Sequence, residues 1–191
     1  MLNRKSLEKI LNKGDSVLLG VVDLKEDLGS YQHYLKWLED EKHAGMDYME
    51  NHKDLRLDPQ KLMPGSRSCL VLAYNYNLGD KLSDLKEGPK IAQYARLKDY
   101  HKFLRKQGKA LAEQLKVLKP DLEYRVLVDS APLFEKAMAA KTSKGFLGKN
   151  TLFIHPTLGS YYFLFEILLN CELSVDSKVA VNPKERSAEL G

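Results

Sequence analysis

Thiols are scarce in this chain. The 191 residues include two cysteines, Cys69 and Cys171, far apart in sequence. That excludes a disulfide framework and a cysteine-rich metal site. Long apolar runs are also missing, and none approaches the ~18 residues of a membrane-spanning helix. The longest early run, Val17 to Val22, has the length of a strand. The N-terminal stretch MLNRKSLE carries charge where a secretory signal would be apolar. The expectation is a cytoplasmic protein with no membrane partner.

Phosphate and metal signatures are lacking too. The stretch KGFLGKNTLF contains Gly148-Lys149, but Ser143 stands where a P-loop needs its first glycine. Asn150 replaces the hydroxyl residue that would follow the lysine. No Gly-x-Gly-x-x-Gly follows a strand-like run, and no Gly-x-Ser-x-Gly elbow occurs. The five histidines, His33, His43, His52, His101 and His155, show no paired metal-ligand spacing.

What is present describes a globular domain. Hydrophobic residues make up 43% of the chain and charged residues 29%, with a formal net charge of +4. The densest basic segment is RLKDYHKFLRKQGK, Arg96 to Lys109. It reads either as the solvated face of a helix or as a nucleic-acid footprint.

Periodicity predicts helices over 3–13, 31–41, 94–118 and 132–142. Continuous apolar runs predict strands over 17–23, 69–76, 123–129, 150–155 and 161–168, with the last two joined as a hairpin. A polar passage with short helical turns is expected over 44–65, and a loop over 78–89. Alternation of helices and strands argues for an α/β fold, and the terminal hairpin makes the sheet mixed. One domain over 1–175 is followed by a polar tail over 176–191.

One position has chemical sense on spacing alone. In RVLVDSAPLFEKAMA a strand ends at Asp129 and a helix is expected from Pro132. Asp129 or Ser130 could simply cap that helix, with Pro132 in its first turn. Alternatively Asp129, beyond the carboxyl end of a strand, is a desolvated acid able to give up a proton near neutral pH.

The blocks GMDYMENHKDLRLDP, LMPGSRSCLVLAYNY, IAQYARLKDYHKFLRKQGKAL and VDSAPLFEKAMAAKTSKGFLGKNTLFIHPTLGSYYFLFEIL resemble, in order, the epoxyqueuosine reductase family. The resemblance covers roughly residues 5 to 175 and rests on motifs such as Tyr-Ala-Arg-x-x-Asp-Tyr-His and Asp-Ser-Ala-Pro. It implies an N-terminal cobalamin-binding module of nitroreductase-like α/β architecture, a mixed sheet flanked by helices. The implied activity reduces epoxyqueuosine in tRNA to queuosine, with cobalamin as cofactor and tRNA as partner. Asp129 takes the position of the family's proton donor. Arg56, Tyr94, Asp129, Ile154 and Phe165 match positions lining the cobalamin pocket. Arg96, Lys98, Lys102, Arg105 and Lys149 become candidates for phosphate contacts to tRNA.

The pattern departs from the family in two respects. Family members continue into a cysteine-rich 4Fe–4S part, whereas NPKERSAELG follows here, so the expectation is a chain with no iron–sulfur cluster. An external electron donor, or a separate iron–sulfur protein, would then be required. The family's Gly-Glu is Phe165-Glu166, and the residues 142–146 read TSKGF where AGLGW is usual. A phenylalanine at 165 is expected to narrow the corrin space. The alternative reading is a cluster-less relative, truncated or natural, that binds a corrinoid or tRNA without redox activity.

Overall fold

The computed structural model of the protein describes residues 2–25, 28–77, 92–96 and 99–174. The loop expected over 78–89, the tail from 176 and Lys98 lie outside them. Four strands form the main sheet: β1 (Ser16–Asp23), β2 (Ser68–Asn75), β3 (Tyr124–Leu127) and, last in the chain, β6 (Tyr162–Leu169). Their spatial order is β1-β2-β6-β3, with every pair antiparallel. Two short strands, β4 (Phe146–Leu147) and β5 (Phe153–Ile154), pair separately.

Helices cover both faces of the main sheet, which is why its strands read as unbroken apolar runs and not as alternating ones. On one face lie α1 (Arg4–Leu11) and α5 (Tyr100–Leu118). Leu7 and Leu11 of α1 and Leu104, Leu111 and Leu115 of α5 pack there on Leu70, Leu72, Phe165 and Ile167. The other face carries α6 (Glu135–Lys141), whose Met138 and Ala139 pack on Cys69, Val71, Tyr162 and Leu168. Helix α2 (Tyr31–Glu39), the short α3 (Asp47–Asn51) and α4 (Lys53–Leu57), and a 3-10 turn at Pro59–Leu62 fill the connection from β1 to β2. Strand β1 serves both cores with a bulge between Leu18 and Gly20, which puts Leu18 and Val21 on one face and Leu19 and Val22 on the other.

Local chemistry sets several element ends. Asn3 caps α1 reciprocally with Ser6: its side chain accepts the Ser6 N–H while Ser6 Oγ accepts the Asn3 N–H. The segment expected as one helix over 94–118 is divided. A 3-10 turn spans Gln93–Arg96, and α5 starts afresh at Tyr100 with Asp99 accepting the His101 N–H. Gly108 lets α5 approach β3, since a Cβ there would sit 2.5 Å from Val126 Cγ1.

The helix-and-sheet class expected from the sequence is observed, but the pairing is antiparallel throughout and the expected terminal hairpin does not form. Strand β5 turns back on β4, while β6 enters the centre of the main sheet between β2 and β3. The helix expected from Pro132 starts at Glu135, and neither Asp129 nor Ser130 caps it. Among the described residues no helix is long and apolar enough to cross a membrane.

Candidate active site

Freed from capping, the loop after β3 does something else. Asp129 adopts a left-handed backbone conformation (φ 46°), which costs a non-glycine residue free energy and needs support. Glu135, in the first turn of α6, supplies it: its Oε1 accepts the Asp129 N–H at 2.8 Å. Arg105 of α5 donates from Nη2 to Ser130 Oγ at 2.9 Å, tying the next residue to the opposite helix layer.

The Asp129 carboxyl is gripped as well. Tyr100 O–H donates to Oδ2 at 2.6 Å, and His101 Nε2 lies 3.0 Å from the same oxygen. The other ring nitrogen of His101, Nδ1, lies 3.1 Å from Asp99 Oδ1. A protonated imidazole would donate to both carboxylates. The neutral ring donates to one of them and accepts from the other only where that carboxyl is protonated. Tyr100 is fixed by stacking on Phe163, with ring centroids 3.9 Å apart and planes 6° from parallel.

These groups border a cavity of about 180 Å³ whose walls include Tyr100, Asp129, Glu135, Leu152, Tyr162 and Phe163. A broader cleft of about 470 Å³ adjoins it across Glu135 and Lys136, and reaches Phe134, Leu147 and Gly148. Leu147 and Leu152 are large apolar residues left about half exposed at these clefts. Gly145 holds β4 close to β5: a Cβ there would meet Ile154 O at 2.2 Å.

Carboxyl groups crowd below the cavity. Burial, then the nearby Asp129 charge, pushes Glu135 up to about 7. Glu166 of β6 is wholly buried, and neither of its carboxyl oxygens has a hydrogen-bond partner. Burial, reinforced by Glu135 and Asp129, drives its pKa far above the carboxylate range. The Cys69 thiol is raised by burial first, then by Glu166 and Glu135. Burial and the bond to Asp129 likewise raise the Tyr100 phenol.

The sequence-derived candidates separate into groups. Asp129 stands at the cavity. Tyr94 is exposed on the 3-10 turn near Tyr100 and Tyr76. Ile154 is half-buried in β5 with its Cδ1 against Gly148. Arg56 lies on α4 beside Tyr34, its Nε buried without a partner, and Tyr34 in turn packs edge-on against Phe134 at the second cleft. Phe165 is fully buried in the α1–α5 core and lines neither cleft. Of the basic candidates, Lys102 and Lys149 are exposed, Arg105 is engaged with Ser130, and Arg96 ends the 3-10 turn.

Four site residues are absent from the sequence-derived set: Tyr100, His101, Glu135 and Glu166. Glu166 left a visible trace, a lone acid inside the apolar run YFLFEILL. The others sit inside quoted motifs, but nothing in the linear pattern joins them to Asp129.

Similarity to known proteins extends across this region. Residues 56–130, which run from α4 to the Asp129 loop, match the family described as epoxyqueuosine reductase QueG, DUF1730. An epoxyqueuosine reductase of Pseudomonas aeruginosa is 37% identical over 163 residues, covering 83% of this chain and 45% of that protein. Among solved structures, an epoxyqueuosine reductase with a tRNA-Tyr epoxyqueuosine-modified stem loop superposes with a TM-score of 0.70 at 23% identity, over 94% of this chain and 48% of that one. The Bacillus subtilis epoxyqueuosine reductase, in a form with an aspartate-bearing catalytic loop swung out of the active site, gives a TM-score of 0.67 at 21% identity, over 97% of this chain and 50% of that one. The chain spans about half the length of these relatives. In sequence and in fold it belongs to the epoxyqueuosine reductase family.

Proposed function

We propose that this chain carries the substrate-protonating half of epoxyqueuosine reduction in tRNA, with Asp129 as the acid that protonates the epoxide oxygen. The observation that supports this most directly is the convergence of Tyr100, His101 and Glu135 on one strained aspartate at a cavity wall. Tyr100 and His101 hold Oδ2 in place, and the Glu135 tether fixes the backbone, so the carboxyl meets substrate in one orientation. The aspartate loop described as catalytic in the Bacillus subtilis relative is consistent with this role.

Cobalamin is the cofactor this reading requires. The half-exposed Leu147 and Leu152 beside the two clefts fit the apolar face of a flat macrocycle, and the buried Arg56 Nε, without a partner, lies beside Tyr34, which packs on Phe134 of the second cleft. Bound there and reduced, cobalamin would supply the electrons that open the epoxide. The chain's own residues bind, orient and protonate. Exposed Lys102 and Lys149, with Arg96 and Lys98, are suited to the phosphates of a stem loop such as the one bound by the structural relative.

The test combines purified chain, cobalamin, a chemical reductant and an epoxyqueuosine-containing stem loop. Wild type should bind cobalamin with a visible spectral shift and convert the nucleoside. Asp129→Asn should retain both affinities and lose at least ~100-fold in rate. Equal turnover by Asp129→Asn overturns the role of the aspartate. Binding of cofactor and stem loop with no wild-type turnover establishes instead the alternative reading, a corrinoid- or tRNA-binding relative without redox activity.

A further inference from the structure

Conversion of epoxyqueuosine to queuosine removes one oxygen. With two electrons from the donor, that oxygen leaves as water only if it receives two protons. A single Asp129 carboxyl carries one. The second must come from elsewhere.

The structure holds a candidate supply directly behind Asp129. Strand β6 alternates its side chains, so Tyr162, Leu164, Glu166 and Leu168 share the α6 face of the sheet. Tyr162 and Leu164 line the cavity, and Glu166 is the next residue inward on that face, fully buried. Its two oxygens find no hydrogen-bond donor. An ionised carboxylate cannot be left so, which keeps Glu166 as the neutral acid. The Glu135 carboxyl accepts the Asp129 N–H, lines the cavity itself and interacts electrostatically with Glu166. The titratable and charged groups around Glu135 are Asp129, Glu166, Tyr100, Cys69, Lys136 and His101. Those around Glu166 are Glu135, Asp129 and Cys69.

We propose that Glu135 and Glu166 form a proton reserve behind Asp129, delivering the second proton that removal of the epoxide oxygen requires. This rests on the reading of Asp129 as the substrate acid. After Asp129 gives its proton to the oxygen, its carboxylate takes one from the Glu135 carboxyl. Glu135 is refilled by Glu166, one O–H bond forming as another breaks at each transfer, with no change in electron count. The reserve is recharged from solvent through the exposed side of Asp129 and His101 once product leaves.

Glutamine substitutions separate proton supply from architecture. In Glu135→Gln the side-chain amide oxygen could still accept the Asp129 N–H, and Glu166→Gln keeps the volume, but neither amide can deliver a proton. Two measurements apply to these variants. Infrared spectra of the cofactor-free chain at neutral pH should show a protonated-carboxyl absorption band that Glu166→Gln diminishes. Single-turnover rates should fall ~10-fold or more in both variants and recover partly at lower pH, with cobalamin and stem-loop affinities unchanged. Absence of the band in wild type overturns the reserve, as do variant rates equal to wild type. In the latter case wild-type turnover leaves the assignment of Asp129 standing. A wild type that shows the band but fails to turn over overturns the enzymatic reading and the reserve together.

Discussion

Glu135 and Glu166 make the fold sensitive to alkali. A carboxyl whose folded pKa is raised binds more protons folded than unfolded, so its contribution is complete at acid pH and is lost as pH rises. For Glu135 the loss runs from about 4.5, the ordinary value, to about 7. Glu166 acts in the same direction and extends it to higher pH. The wild-type unfolding free energy should therefore decline by about 1–3 kcal/mol between pH 5 and pH 8 from Glu135. Glu166→Gln should flatten the profile above pH 7 without lowering the acid-side stability. Urea denaturation at a series of pH values checks this, and a wild-type profile that rises through the window would refute it. A solitary glutamate in an apolar strand was legible in the sequence. Its lack of any partner was not, because partners come from other elements.

At the scale of elements, the two short strands β4 and β5 depend on close approach. In Gly145→Ala the new Cβ would fall 2.2 Å from Ile154 O and 2.6 Å from the Phe153 ring. A backbone oxygen cannot step aside cheaply, so the pair should separate and carry Leu147 with it. The expected outcome is a loss of about 1–3 kcal/mol in stability, with weakened cobalamin binding in titration. An unchanged midpoint and affinity would show that β4 and β5 do not shape the cleft. The start of α6 is a second lesson at this scale. Asp-Ser-Ala-Pro before an amphipathic run reads as a helix cap, yet the helix begins at Glu135, and Glu135 instead supports the Asp129 backbone. The same oxygen-rich residue types satisfy a helix end or build a site, and sequence spacing does not distinguish the two.

For the whole molecule, the sheet separates two cores with different duties. The α1–α5 side is packed mainly for stability and lends Tyr100 and Phe163 to the smaller cavity, whereas the α6 side carries Glu135 and Glu166. Phe165 belongs to the first. Phe165→Ala should cost about 3–5 kcal/mol in chemical denaturation while leaving cobalamin titration unchanged, the opposite of what a pocket-blocking ring would give. Tighter cobalamin binding in the variant would return Phe165 to the cleft.

Apolar runs, turn residues and motif order by themselves determined the helix-and-sheet class, the positions of the principal strands, the family resemblance and the singling out of Asp129, because each is written in local composition and period. Local pattern says that a strand is buried on both faces but not which strand it joins, and so only the tertiary structure decided the antiparallel order β1-β2-β6-β3 and the insertion of β6 at its centre. The same holds for the side of the sheet on which Phe165 and Glu166 fall. Tyr100 and His101 arrive from the start of α5, Glu135 from α6 and Glu166 from β6. Hydrogen bonding and desolvation act over a few ångströms in space, whatever the distance along the chain.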